Sequence, residues 1–345
     1  MLLIDAVYIH ESGGKELLRY LVDSLSKAGK KFFLLLDERL DKSFTDKLNR
    51  DNWRAIPPAE KSRKLFYQQD AATRFSSVLC FANVPPPEPV KIPVFVFFQN
   101  ALILSDLFEK NGYSFRKQVS FLLRKLYIRY RNKKNYQWIV QTPTMKARLV
   151  NKLGITADLV SVIPFFEDEH FLFQIENSKR APVFLYVADG VPQKNHDLLL
   201  DAWLHLYTEY NLFPELHVTV PERFKIVIQK INLLREKGLS IINYGTVARA
   251  ELEKLYIGSD YMVFPSVEES FGLPLIEAAT LGCKVIAADL PYVYDIIKPS
   301  AIFNPFDVID MARVIKNCIL EENNLPTEIV VQDKVEVLIN YISGN

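Results

Sequence analysis

Two glutamates eight positions apart, Glu269 and Glu277, flank the segment Ser270-Phe271-Gly272-Leu273-Pro274-Leu275-Ile276. An apolar run ends near Phe264, and Pro274 suits the first turn of a helix beginning near Leu273. A helix start offers unbonded backbone N–H groups and the positive end of a dipole, which together favour a diphosphate. Gly272 lets such a ligand approach the backbone closely. Glu269 precedes the helix and Glu277 sits about one turn inside it. Were a nucleotide sugar bound there, one carboxylate could meet the sugar end and the other could accept hydrogen bonds from the ribose.

Other residues could join this chemistry. Lys194, in the stretch from Tyr186 to Trp203, reads by itself as a solvated loop lysine. Gly13 and Gly14, followed by Lys15, come just after the first strand-like run. They fit either a loop closing over a ligand or an ordinary turn. Gln99 and Asn100 end another apolar run and can hydrogen-bond an acceptor hydroxyl without titrating. Equally, they are two polar residues ending a buried strand. None of the five histidines has a persuasive catalytic setting. The chain has no G-x-G-x-x-G, no G-x-x-x-x-G-K-[ST] and no H-E-x-x-H. It also lacks a Cys/His cluster and a D-x-D pair, so no metal site is expected.

These residues sit on an alternation of short apolar runs and helical patterns. Leu2–Ile9, Phe32–Leu36, Ser77–Phe81, Val94–Phe98 and Trp138–Gln141 read as strands. Most are apolar throughout, as strands buried on both faces are. Lys15–Ala28 and Thr144–Leu153 read as helices, and Pro85–Pro89 as an extended loop. The pattern restarts with strands at Val183–Ala188, Ser240–Tyr244, Tyr261–Phe264 and Lys284–Ala287. Helices are expected at His196–Tyr207, Arg249–Ile257 and Pro274–Leu281. Residues 164–182 read as a linker. Two βα arrays predict two doubly wound, Rossmann-like α/β domains facing a cleft. Their expected bounds are 1–165 and 166–325, with 326–345 packing back on the first domain as a helix, its amphipathic run Ile329–Ile342.

The 345 residues are 49% apolar and 24% charged, which fits a folded globular chain and excludes a disordered or fibrous one. Asp5 comes early, so the start reads as a strand and not a signal peptide. Three scattered cysteines fit a reduced compartment. The net charge of +1 conceals a strong asymmetry. Residues 1–165 hold 27 Lys+Arg against 15 Asp+Glu, and residues 166–345 hold 15 against 26. Opposite charges fit two halves with different partners, or two surfaces attracting one another. Residues 116–134 carry eight basic side chains and no acid, with Val119, Leu122, Leu123, Leu126 and Tyr130 at helical spacing. Such a helix can lie on an anionic membrane surface, or pack its apolar side on a core. No nucleic-acid-binding motif accompanies it.

The run from Glu269 to Glu277, with SDYMVFPS before it and AATLGCKVIAADLPYV after, resembles the E-x7-E signature of the family 4 retaining glycosyltransferases. The resemblance is strong over residues 183–312 and loose over 1–165. It implies the GT-B fold and a metal-independent transfer from a nucleoside-diphosphate sugar. It puts Glu269 at donor-sugar hydroxyls, Glu277 at the ribose, and Ser270, Phe271, Gly272 and Leu273 beside the sugar and diphosphate. Lys194 stands at the position of the family's diphosphate lysine, and Asp189 where the family usually has an arginine. Gly13 and Gly14 match the family's Gly-Gly loop, with Lys15 beside them. Gln99 and Asn100 stand near the family's usual histidine, on the acceptor side. Thr142 and Lys146 resemble a cleft-facing family loop with no assigned role.

The first half resembles enzymes of bacterial O-antigen and other surface-polysaccharide synthesis. It implies a glycan acceptor, in particular a lipid-linked oligosaccharide. The expected protein is then a cytoplasmic glycosyltransferase of lipopolysaccharide biosynthesis, peripheral at the inner membrane face. It needs no cofactor and binds no nucleic acid. Two alternatives are a non-catalytic nucleotide-sugar-binding subunit, motivated by Asp189, and a GT-B-type epimerase or phosphorylase.

Overall fold

A computed structural model describes residues 1–46, 48–71, 74–105, 113–167, 182–320 and 325–344. It divides into two units. The first takes in residues 1–105, 115–168 and 332–345, and the second residues 106–114 and 169–331. Most of the 164–182 stretch, residues 168–181, lies outside the described residues.

The first unit is built on seven parallel strands: β1 (Leu2–Ala6), β2 (Phe32–Asp37), β3 (Trp53–Ile56), β4 (Ser77–Cys80), β5 (Val94–Phe97), β6 (Gln137–Val140) and β7 (Val160–Val162). Their spatial order is β3-β2-β1-β4-β5-β6-β7. Every residue of β1, β2, β4 and β5 is buried, which is why those segments are apolar without alternation. The chain reverses direction across the sheet between β1 and β4, paired Leu2 to Ser77 and Ile4 to Leu79. Strand ends at such a switch point leave a crevice for ligands.

A buried charge cluster fixes this end of the sheet. Asp5 on β1 accepts from Arg63 Nη2 and from the Tyr67 hydroxyl, both at 2.8 Å. Arg63 Nη1 donates to Glu60 at 2.6 Å, and Nη2 also donates to the carbonyls of Val84 and Pro85 at 3.3 and 3.2 Å. Arg131 donates to the Pro86 carbonyl at 2.8 Å. The proline-rich loop is thus held through its carbonyls, the hydrogen-bonding groups proline keeps. The C-terminal helix, Val335–Ser343, packs within this unit, where Ser77 donates to the Ile342 carbonyl at 3.1 Å. The expected amphipathic run Ile329–Ile342 is helical only from Val335, because Glu328–Ile329 pairs antiparallel with Ile297–Lys298 in the second unit.

The second unit has six parallel strands: β8 (Val183–Tyr186), β9 (Glu215–Val218), β10 (Ile241–Asn243), β11 (Tyr261–Phe264), β12 (Lys284–Ala288) and, after the short β13 (Ile297–Lys298), β14 (Ala301–Phe303). Their order is β10-β9-β8-β11-β12-β14, with the reversal between β8 and β11. Both sheets therefore follow the doubly wound Rossmann-like plan.

Candidate active site

The reversal in the second sheet brings two distant loops together. Tyr261 on β11 pairs with Phe184 on β8, so the loops leaving these strands emerge side by side. Val267 N–H donates to the Gln193 carbonyl at 2.8 Å, and Asn195 Nδ2 donates to the Pro265 and Pro305 carbonyls at 3.3 and 2.9 Å. Asn195 adopts a left-handed φ of 55°, which asparagine tolerates better than most side chains. Across this seam Lys194 Nζ stands 2.5 Å from Glu269 Oε1, their side chains 18% and 15% exposed. Ser266 Oγ lies 2.7 Å from the same carboxylate oxygen, and the Tyr292 hydroxyl donates to the Ser266 carbonyl at 2.6 Å.

The helix after the loop runs Leu273–Thr280, with Pro274 in its first turn. Gly272 caps it with φ 108°, and an added Cβ would stand 3.2 Å from Leu275 Cδ1. Among the described residues no side chain caps this start. Phe271 is buried, so its backbone is what it offers a ligand, while Ser270 and Leu273 are partly exposed. Glu277 accepts from the Tyr256 hydroxyl at 3.0 Å. Burial, and then the Glu277 charge, hold that hydroxyl well above its ordinary pKa. The structure thus brings Lys194, Glu269, Ser270, Phe271, Gly272, Leu273 and Glu277 to one end of one sheet.

Tyr113, Gln193, Arg223 and His196 join this cluster, beside Asp189, without a local signal in the sequence. The Tyr113 hydroxyl donates to Gln193 Oε1. Its pKa is pushed to about 12 by burial and then by the carboxylates of Asp189, Glu268 and Glu269. Asp189 has Arg223 Nη2 at 3.7 Å. Burial raises the Asp189 pKa, while Lys194 and Arg223 oppose the rise. His196 is buried against the Tyr186 ring at 4.9 Å, and neither ring nitrogen has a hydrogen-bond partner among the described residues. Burial and the Lys194 charge lower its pKa to about 4, so it is neutral at pH 7.

The remaining candidates belong to the first unit. Gly13, Gly14 and Lys15 lie in the first turn of the helix Ser12–Lys27 and not in a separate loop. An added Cβ on Gly14 would meet Gln99 Oε1 at 3.4 Å. Gln99 itself donates Nε2 to the Phe81 carbonyl at 2.9 Å, and its N–H donates to Asn83 Oδ1 at 2.6 Å. Gln99 therefore braces the strand ends and the helix start. Asn100 instead lines a cavity of about 720 Å³ with Tyr8, His10, Arg39, Glu60 and Asn83. Thr142 caps the helix Pro143–Leu153, accepting from Met145 N–H at 3.1 Å, which accounts for its place in the sequence.

Glu60 is the polar centre of that cavity. It accepts from the Tyr8 and Tyr127 hydroxyls, both at 2.8 Å. Tyr8 holds a left-handed φ of 88°, an unusual state for a bulky residue. Asp37 fixes it by accepting its N–H at 3.1 Å. The helix Phe115–Arg131 contributes Arg116, Val119, Leu123, Arg124 and Tyr127 to the wall. Of the apolar positions on this helix Ile128 is buried, whereas Leu122, Leu123, Leu126 and Tyr130 are 50–75% exposed. Its apolar face is largely uncovered. Among the described residues no helix is long and apolar enough to cross a membrane. No group of three or more His, Cys, Asp or Glu among them could hold a metal ion.

Known glycosyltransferases resemble this arrangement in sequence and in fold. Residues 167–332 match the family model described as glycosyl transferases group 1. The serotype-specific mannosyltransferase WbdA of Escherichia coli is 30% identical over 191 residues, 53% of this chain and 23% of the relative. The O-antigen chain mannosyltransferase RfbU of Salmonella typhimurium is 25% identical over 175 residues, 50% of this chain and 48% of the relative. The match thus spans about a quarter of one relative's length and about half of the other's. Among solved structures, WaaG, a glycosyltransferase involved in lipopolysaccharide biosynthesis, superposes with TM-score 0.73 at 13% identity, covering 100% of both chains. Anabaena Alr3699/HepE in complex with UDP and glucose gives 0.65 at 13% identity, covering 99% of this chain and 95% of that one. At such identities the likeness is one of fold. Residues 167–332, just under half of the chain, are thus similar to the glycosyl transferases group 1 family, and the two parallel-sheet Rossmann-like units have the GT-B fold.

Proposed function

We propose that the protein is a retaining glycosyltransferase that moves a sugar from a nucleoside-diphosphate donor to a hydroxyl of a lipid-linked glycan. The observation that carries this reading is the Lys194–Glu269 pair beside the Gly272 helix start, with Glu277 one turn further in. A glycosyl transition state is charge-separated. The departing diphosphate gathers negative charge, and the sugar becomes oxocarbenium-like. Amides at Gly272 and Leu273, the positive helix end and the Lys194 ammonium stabilise the first. Glu269 orients the sugar through its hydroxyls and places a carboxylate near the developing positive charge. Glu277 accepts from the ribose and fixes the nucleoside. The reading requires no metal, because the side chains and amides carry the diphosphate charge.

Retention fits departure and attack on the same face of the sugar. In that course the C–O bond to the diphosphate breaks as the acceptor oxygen bonds to the same carbon. The leaving phosphate oxygen then takes the acceptor proton. Gln99 and Asn100 cannot titrate, and this course asks no base of them. The cavity around Glu60 supports an acceptor that is both anionic and apolar. Arg39, Arg116 and Arg124 line it together with Ile9, Ile103, Val119 and Leu123. The exposed leucines and basic residues of Phe115–Arg131 support a peripheral position on an anionic, inner membrane face. The names of WbdA and RfbU make mannose the first donor sugar to try, and O-antigen synthesis the first setting.

The test is thermal unfolding against UDP-, GDP-, ADP- and CMP-sugars with a chelator present, followed by transfer to lipid-linked acceptors from membrane extracts. A ligand at 100 times its Kd stabilises the fold by about 2.7 kcal/mol. A shift with one nucleotide series, and anomeric retention in the product, supports the reading. Binding without transfer to any extract favours the non-catalytic alternative, and conversion of donor without acceptor favours the epimerase.

A further inference from the structure

We propose that Arg223 is a diphosphate-binding residue of the donor site, held ready by Asp189. The inference rests on the reading of the second unit as a nucleotide-sugar site. The starting point is a shortage of positive charge. Lys194 is already engaged by Glu269 at 2.5 Å, and Asp189 on the same loop adds a carboxylate. A diphosphate entering there meets two carboxylates and one ammonium that it must share with Glu269, so the side-chain charge is too little to hold it. A second cation must compensate, and Arg223 stands against Asp189.

Its geometry suits an exchange of partners. The Arg223 Nη2 to Asp189 Oδ2 distance is 3.7 Å, longer than a charge-assisted hydrogen bond. The guanidinium side chain is 59% exposed, so its donors remain open to an incoming anion. The planar fork of arginine fits phosphate oxygens in pairs, which a lysine cannot match.

A second, independent contact fixes where the arginine stands. Gly190 follows Asp189, and a Cβ added there would lie 2.5 Å from Phe224 Cβ. Phe224, next to Arg223, closes a turn by donating its N–H to the Pro221 carbonyl at 3.0 Å. The loop after β8 and the turn after β9 are therefore packed as one block. The guanidinium carbon also sits 5.0 Å from the centre of the Phe224 ring, which limits where the side chain swings. An arginine from the neighbouring strand's loop thus supplies the charge that an acid at 189 cannot.

The experiment uses the full chain and measures the affinity of UDP, GDP and ADP and of the matching nucleosides by calorimetry. The wild type is expected to bind one diphosphate better than its nucleoside. Arg223→Ala is expected to weaken that diphosphate by about ten- to a hundredfold and leave the nucleoside unchanged. Arg223→Lys should recover part of the loss. Asp189→Arg on the Arg223→Ala background should recover most of it, because it places a guanidinium on the adjoining loop. If the wild type binds no diphosphate, the nucleotide-sugar reading falls and this inference with it. If the wild type binds and Arg223→Ala binds as tightly, the inference alone is overturned. Equal losses for diphosphate and nucleoside in Arg223→Ala also overturn it, since they report a distorted loop.

Discussion

Lys194 and Glu269 are 75 residues apart in sequence, yet Nζ and Oε1 stand 2.5 Å apart at the carboxyl ends of β8 and β11. The pair is less than one-fifth exposed, so each charge lowers the cost of burying the other. On the proposed reading an incoming diphosphate competes with Glu269 for Lys194. Glu269→Gln frees the ammonium while removing the carboxylate. Nucleotide-diphosphate affinity is expected to stay or rise, and kcat to fall about a hundredfold or more. Calorimetry with turnover assays checks this, and wild-type kcat in the variant would remove Glu269 from the chemistry.

Glu277 has a structural partner as well as its assigned ligand. Glu277→Ala leaves the buried Tyr256 hydroxyl without the acceptor 3.0 Å away. Donor affinity should fall about tenfold or more, with a stability loss of about 1–3 kcal/mol. Tyr256→Phe keeps the carboxylate and should bind donor nearly as the wild type does. Comparing the two separates packing from ligand contact. Unchanged donor affinity in Glu277→Ala would sink the ribose assignment.

Gly272 is needed for its backbone. At φ 108° an alanine is strained, and its Cβ would press on Leu275 Cδ1 at 3.2 Å. Gly272→Ala should cost roughly 1–2 kcal/mol in urea unfolding and weaken diphosphate binding more than nucleoside binding. A variant as stable as the wild type would mean that the helix start relaxes freely.

His196 gives the stability a sign with pH. Its pKa falls from 6.5 to about 4 on folding, so the unfolded chain takes up a proton that the folded chain refuses. This contribution is full above pH 6.5 and is lost as pH falls through 6.5 toward 4. Between pH 7 and pH 5 the loss is on the order of 2 kcal/mol. Urea unfolding at the two pH values reads it, and His196→Phe should lose much of the pH dependence. An equal slope in the variant would assign the effect to other groups.

The exposed apolar face of Phe115–Arg131 predicts binding to vesicles containing anionic phospholipid, stronger at low salt. Leu122 and Leu126 are 54% and 50% exposed, so Leu122→Asp with Leu126→Asp should leave thermal stability unchanged. Vesicle sedimentation should fall severalfold in this variant. Equal sedimentation of both forms would show that the apolar face does not enter the lipid surface.

The alternation of buried strands and helices is legible in the amino-acid order alone. Segments such as Phe32–Asp37 and Tyr261–Phe264 are buried throughout and carry an apolar pattern that any register preserves. That order also exposes Glu269, Gly272 and Glu277, because a strand end, a loop and a helix start are local events within about a dozen residues. Trp53–Ile56 and Glu215–Val218 escaped notice, since their partly exposed positions dilute the apolar run. The remaining contacts depend on strand order. The β8–β11 adjacency joins Lys194 to Glu269, and the β8–β9 adjacency sets Arg223 against Asp189. Glu60 likewise meets Tyr8 and Tyr127 from positions 52 and 67 residues away. No local spacing encodes those meetings. They follow from which strands lie side by side, and that is settled when the whole sheet packs.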